Sequence, residues 1–325
     1  MFNFMPAIFT FVIGCTTLIL TTIISALYVV PMKLIWFLMP GTKLKHKLAK
    51  RLSVGMSFWQ RGNRFIMNLI SRPKLEVRGL EGLSKDKWYL LVCNHMSGFD
   101  IAVLSYVFQD KIPPAKYFLK RELLYVPFLG IACWALGMAF VRRYSPTQMR
   151  KKKKIKNDSL VSTQKACQHF KQFPTTVINF LEGGRFTKKK NKNSPYKHLL
   201  KPKSGGIALT LGALDNQFDK LLNVTLVYPS HHQQENILFS FLMGRLDKIV
   251  VHIETLDVPV VDYAAYLSDV NKRVNFQKWL NSMWSEKDEL IQQIMDNYQK
   301  QSQASAPKRL IPISTAHEDL TKSGL

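Results

Sequence analysis

The chain predicts an α/β fold, a mixed sheet flanked by helices, preceded by an N-terminal transmembrane helix and an amphipathic helical segment. Three observations predict it: an uncharged apolar run at the start, short β-forming runs alternating with helix-spaced stretches after Pro73, and basic residues mixed with apolar ones between the two. With 325 residues, 46% of them hydrophobic, the chain can bury one sizeable core or two small ones, and nothing in the composition points to a disordered or fibrous protein.

From Met1 to Met32 there is no charged residue. Residues 7–30 suffice, as a helix, to cross about 30 Å of hydrocarbon. The opening Met1-Phe2-Asn3 lacks the basic start of a signal peptide and the chain stays apolar past Pro31, which indicates an uncleaved anchor. Lys33, Lys43, Lys45, Lys47, Lys50 and Arg51 follow it, so the positive-inside rule places the bulk of the chain in the cytoplasm, at the inner membrane if the source is bacterial. The widely spaced Cys15, Cys93, Cys133 and Cys167 read as reduced packing residues, in keeping with that compartment. Residues 44–70 mix Lys and Arg with Leu48, Leu52, Met56, Trp59 and Phe65. Periodicity alone weighs a lipid-facing and a protein-facing helix equally there.

Beyond Pro73, residues 88–93, 176–181, 224–228 and 249–253 read as strands, and 99–108, 159–173 and 207–214 as helices. Past Asp262 the pattern is one or two helices, with Trp279 and Trp284 packing on the core or the interface, and then a polar tail with Pro307 and Pro312. The expected organisation is a transmembrane anchor at 1–40, an amphipathic segment at 41–74, a main domain at 75–260, C-terminal helices at 261–301 and a mobile tail at 302–325.

The most informative stretch is Asn94-His95-Met96-Ser97-Gly98-Phe99-Asp100, between an apolar strand and a helix. On an unbroken helix His95 and Asp100 would lie about 140° apart, so contact needs a turn, for which Gly98 supplies freedom. A carboxylate on one imidazole nitrogen fixes the tautomer and leaves the other nitrogen to accept a proton, which describes a general base. Taken alone, such a pair is more often structural. Its context is Phe180-Leu181-Glu182-Gly183-Gly184-Arg185-Phe186, a strand end followed by an acid, two glycines and an arginine. Glycines let a ligand approach backbone amides, and arginine forks onto phosphate oxygens.

Together these motifs resemble the 1-acyl-sn-glycerol-3-phosphate acyltransferase family, whose pattern is N-H-x4-D followed later by F-P-E-G-T-R. His95 and Glu182 are 87 residues apart here. The resemblance runs from about residue 75 to 260 and takes in residues 137–143 as a second block and 224–229 as a fourth. It implies that His95 deprotonates the acceptor hydroxyl, that Asp100 orients His95, and that Glu182, Gly183, Arg185 and Arg143 bind glycerol phosphate. It implies transfer of a fatty acyl group from acyl-CoA or acyl carrier protein to the sn-2 hydroxyl of 1-acylglycerol 3-phosphate, with no cofactor. Leu181 stands for the family's proline, Gly184 for its threonine and Arg142 for a frequent acid, departures that bear on head-group choice and leave lysocardiolipin or another lysophospholipid as an alternative acceptor.

The net charge of +24 demands an anionic partner. It sits in residues 33–72, 142–156 and 185–203, none of which contains an acid. Lys151 to Lys154 and Lys188 to Lys190 fit acidic lipid head groups and a carrier's phosphates, at about 1 kcal/mol per cation near an anionic bilayer. Lys203-Ser204-Gly205-Gly206 opens a helix and could face an anion. Ser97 lacks a G-x-S-x-G elbow, and His95 with Asp100 lacks further ligands at metal-site spacing. A membrane-tethered nucleic-acid-binding or lipid-binding protein is the alternative of another class. No nucleic-acid-binding motif accompanies the lysines, so nucleic acid is not expected as a partner.

Overall fold

The computed structural model describes residues 7–39, 42–70, 73–141, 161, 163–164, 168–171, 173–232 and 236–304. Arg142, Arg143, Lys151 to Lys154, Cys167 and the tail from 305 onward lie outside them. So does nearly half of the helix expected over 159–173, of which Gln168–Lys171 forms a short 3-10 turn.

The apolar N-terminal run forms α1, Ala7–Leu38, which continues through Pro31 and is long and apolar enough to cross a membrane. Its hydroxyls cause no break: Thr10, Thr17, Thr21 and Thr22 donate to carbonyls three or four residues back in the helix. After a short connection α2, Thr42–Ile70, packs back along α1. Glycine permits the close approach, since a Cβ on Gly55 would lie 2.3 Å from Val29 Cγ1 and one on Gly62 2.7 Å from Thr21 Cγ2. Part of the apolar surface of α2 is a protein face, while Val54, Phe58 and Phe65 stay exposed. Met56, Ile66, Met67 and Ile70 are buried in the main core, and Leu52 joins Ala26 and Val29 of α1.

Among the described residues a seven-stranded sheet runs in the order β1-β7-β6-β2-β5-β3-β4. The strands are β1 Lys74–Arg78, β2 Tyr89–Cys93, β3 Ala115–Lys120, β4 Ala139–Val141, β5 Thr176–Phe180, β6 Lys220–Val227 and β7 Lys248–Leu256. All pairs are parallel except β6 with β7. β2 is apolar throughout because it is central and covered on both faces. Tyr89, Leu91 and Cys93 enter one core, with α2 and α3 (Asp100–Phe108), whereas Leu90 and Val92 enter the other. That second core includes residues from Ser204–Ala213, Tyr263–Ser268 and Val270–Ala304, and Trp284 is fully buried in it.

Cys93 lies opposite Phe180 of β5 and Val224 of β6 in the parallel ladders. The carboxyl ends of these strands therefore open on the same edge of the sheet, where open α/β sheets place their ligands. Both chemical motifs leave the sheet there.

Candidate active site

The His95–Asp100 contact is present: Nδ1 of His95 lies 2.9 Å from Asp100 Oδ2. The turn is made differently from the expectation. Gly98 has no positive φ and lies in open space. The chain turns as Asp100 N donates to Ser97 O at 3.2 Å and Phe99 N to Ser97 Oγ at 3.2 Å. Asp100 then opens α3, where a carboxylate meets the positive end of the helix dipole.

Asp100 is fully buried and collects four donors. Besides His95 these are the Met96 amide at 2.8 Å and the Ser97 amide at 2.9 Å on Oδ2, and the Tyr228 hydroxyl at 2.8 Å on Oδ1. Burial, followed by the neighbouring Asp100 carboxylate, pushes the Tyr228 hydroxyl well above its usual range, so it serves as a donor. A carboxylate offers acceptors only, so the proton between it and His95 sits on Nδ1 and Nε2 is left as the acceptor. The imidazole stacks on Phe180, with ring centroids 4.1 Å apart and planes at 19°, and its side chain keeps 16% of its exposure. Asn94 holds the entry to this turn, since its side chain exchanges hydrogen bonds of 2.9 Å with both the amide and the carbonyl of Leu226 on β6.

The second motif is docked onto the first by Phe186 N, which donates to His95 O at 2.7 Å. Gly183 has φ +69, a conformation that favours glycine, and its amide donates to Phe180 O at 3.0 Å. Glu182 is buried: the Leu200 amide donates to its Oε1 at 3.4 Å and the His95 amide also favours its carboxylate, while Oε2 has no hydrogen-bond partner among the described residues. Burial raises its carboxyl to about 8, against smaller opposing contributions from nearby backbone amides and the Lys287 ammonium. An ionised carboxylate here would repel an anion near this basic loop. At neutral pH the protonated carboxyl does not, and it can donate.

Glu182 and Gly183 line a recess of about 260 Å³ together with Gly184, Lys190, Lys201 and Lys203. Lys203 lies over Gly183, where a Cβ would meet its Nζ at 3.1 Å. Arg185 is exposed beside this loop, its carbonyl accepting from Lys190 Nζ at 2.9 Å. The structure thus brings together His95, Asp100, Glu182, Gly183 and Arg185, while Arg143 lies outside the described residues.

Four contributors had no role legible in the sequence. Tyr228 sits within the fourth block but carries no local signal of its role. Phe180, which opens the second motif, and Lys201 look like ordinary strand and loop residues. Lys287 of the long C-terminal helix is more distant still. It is fully buried, donates to Val224 O, lies 4.7 Å from the Trp284 ring, and is lowered by burial to about 8.

Residues 74–229 match the acyltransferase family model. Over 137 residues the chain is 29% identical to the 2-acyl-1-lysophosphatidylinositol acyltransferase of Saccharomyces cerevisiae, covering 37% of this chain and 33% of that protein. Over 70 residues it is 36% identical to 1-acyl-sn-glycerol-3-phosphate acyltransferase alpha of Mus musculus, covering 22% and 24% respectively. The chain spans between 24% and 58% of the length of the first curated relatives it matches. Among solved structures it is similar to the 1-acyl-sn-glycerophosphate acyltransferase PlsC of Thermotoga maritima, with 17% identity, a TM-score of 0.49, and 89% of this chain and 97% of that one covered.

Proposed function

We propose, from the premise that residues 74–229 belong to the acyltransferase family, that the chain transfers a fatty acyl group from acyl-CoA or acyl carrier protein to the sn-2 hydroxyl of 1-acylglycerol 3-phosphate, yielding phosphatidic acid. The observation that carries this reading is the His95 Nδ1 to Asp100 Oδ2 contact of 2.9 Å, on a carboxylate fixed by three further donors.

In this mechanism His95 Nε2 takes the proton of the acceptor hydroxyl as its oxygen adds to the thioester carbonyl. The carbon–sulfur bond then breaks, and the departing thiolate takes that proton from the imidazolium. No acyl-enzyme forms, and positioning two bound substrates supplies much of the rate. Asp100 orients the ring and stabilises its charged form during transfer. Glu182, Gly183 and Arg185, joined by Arg143, hold the acceptor's phosphate, and the lysines around the recess add positive charge. The active site faces the cytoplasm, by the positive-inside rule, and anionic lipids attract the basic surface.

A second acceptor, another lysophospholipid such as lysocardiolipin, is favoured by one observation: Leu181 and Gly184 replace proline and threonine in the loop that meets the head group. Purified protein given a panel of lysophospholipids and acyl thioesters, with products read by mass spectrometry, separates the readings. Phosphatidic acid as the main product supports the first. Preferential acylation of another lysolipid supports the second, and no acyl product from any pair refutes both.

A further inference from the structure

Between β3 and β4 the chain displays apolar side chains that neither the core nor the catalytic pair employs. Leu124, Tyr125, Val126, Phe128, Leu129 and Ile131 are all exposed, Tyr125 at 77%, Phe128 at 49% and Ile131 at 48%. The backbone is strained to display them. Phe128 has φ 58 and ψ −51 and centres a γ-turn closed by Leu129 N to Pro127 O at 2.6 Å, a conformation that is rare for a residue with a side chain. Holding a phenylalanine in that conformation only to leave it in water would bring no return.

The patch continues the apolar face of α1. The helix that follows it, α4 (Leu129–Ala135), places Ala132 and Ala135 against Ala26 and Val29, and Trp134 stacks on Phe37 at 5.9 Å. Toward the other end of α1, Phe11 meets Phe239 of Ile237–Leu242 at 5.4 Å, beside the exposed Leu238. Phe11 and Phe37 are separated by about 39 Å of helix. Apolar side chains of α1, among them Leu27, Leu34 and Phe37, are exposed too, and through α4 the patch at 124–131 sits beside this helix.

We propose that residues 124–131 are a wedge by which the catalytic domain itself enters the hydrocarbon of a lipid bilayer. The occupant is lipid because the wedge is continuous with a helix apolar and long enough for hydrocarbon, with Lys120 and Arg121 exposed at its base in a chain of net charge +24. The wedge follows the carboxyl end of β3, which is parallel to β5, so it descends from the same sheet edge as Glu182. Insertion there would bring the site's mouth to the surface from which a lipid substrate arrives. The proposal does not depend on which acceptor is used.

The test is photocrosslinking of the full chain in vesicles of phosphatidylcholine and phosphatidylglycerol. Benzoylphenylalanine replaces Tyr125, Phe128, Leu27 as a positive control, or Lys278, exposed on the C-terminal helix across the sheet, as a negative control. Lipid adducts at 125, 128 and 27 but not at 278 are expected. A lipid adduct at 27 alone, or protein adducts at 125 and 128, would overturn the wedge, the latter in favour of a protein interface. Phe128→Gly suits the positive φ and removes the aromatic, so its melting temperature should be unchanged or higher while the lipid adduct at 125 falls about tenfold. An undiminished adduct in that variant also overturns the proposal.

Discussion

The two loops that meet at the edge of the sheet are built on opposite plans. In residues 94–100 the polar groups are tied down: Asn94 is bound to β6 at two points and Asp100 holds four donors with no exposed surface. In residues 182–186 Glu182 meets backbone amides only weakly and its Oε2 has no partner among the described residues, Gly183 and Gly184 carry no side chain, and Arg185 is exposed. The difference fits the roles proposed for the two loops. A base has to meet its proton within a few tenths of an ångström, so its supports are saturated before substrate arrives. A loop that closes on an anion keeps donors and charge in reserve.

The largest expected effect falls on the rigid loop. His95→Ala should lower turnover by about 10²- to 10⁴-fold, the usual contribution of a general base, with folding and membrane association intact. A variant that keeps most of its turnover would place the base elsewhere.

Glu182→Gln tests the under-satisfied loop through stability. In the unfolded chain the carboxyl ionises near its ordinary 4.5, and in the folded chain only near about 8. Between those values the native state holds more protons than the unfolded one, so stability falls as pH rises from about 4.5 to 8. The glutamine variant lacks this loss and should be more stable near pH 7, by on the order of 3 kcal/mol. Melting curves of both proteins against pH would show the gap opening across that window and closing below it. Parallel curves would mean that ligand-free Glu182 is ionised and solvated.

Tyr228→Phe leaves Asp100 Oδ1 buried without its side-chain donor, at about 1–3 kcal/mol of stability. If the phenol also keeps the carboxylate aligned on His95, kcat falls about tenfold while both KM values hold. A stability loss with unchanged kcat would make the tyrosine a structural support only.

The smallest effect belongs to Arg185→Lys. Lysine keeps the charge and loses the planar fork, so the acceptor's KM should rise roughly five- to tenfold, with at most a small change in kcat. A rise confined to the donor's KM would assign Arg185 to the carrier's phosphates and reverse the two pockets.

How far the sequence could be read depended on how local each signal was. β2 and β5 are legible because a central parallel strand is apolar on both faces. β1, β3 and β4 were not: Lys74–Arg78 lies at one edge of the sheet, and Ala139–Val141 is three residues long at the other. Ala115–Lys120 has a lysine at its second and last positions, which blurs its alternation. The stripe on α2 fits lipid or protein equally well until the body of the chain is placed against it.

By itself the sequence determined the long apolar helix and the order of the motifs, and it put His95 and Asp100 forward as a candidate pair. Each depends on composition or on a spacing of a few residues. Only the tertiary structure decided which face of α2 is buried, that Tyr228 closes the donor set on Asp100, that burial raises Glu182, and that α4 packs on α1. These depend on residues far apart in the chain, where burial and hydrogen-bond geometry are properties of the packed whole.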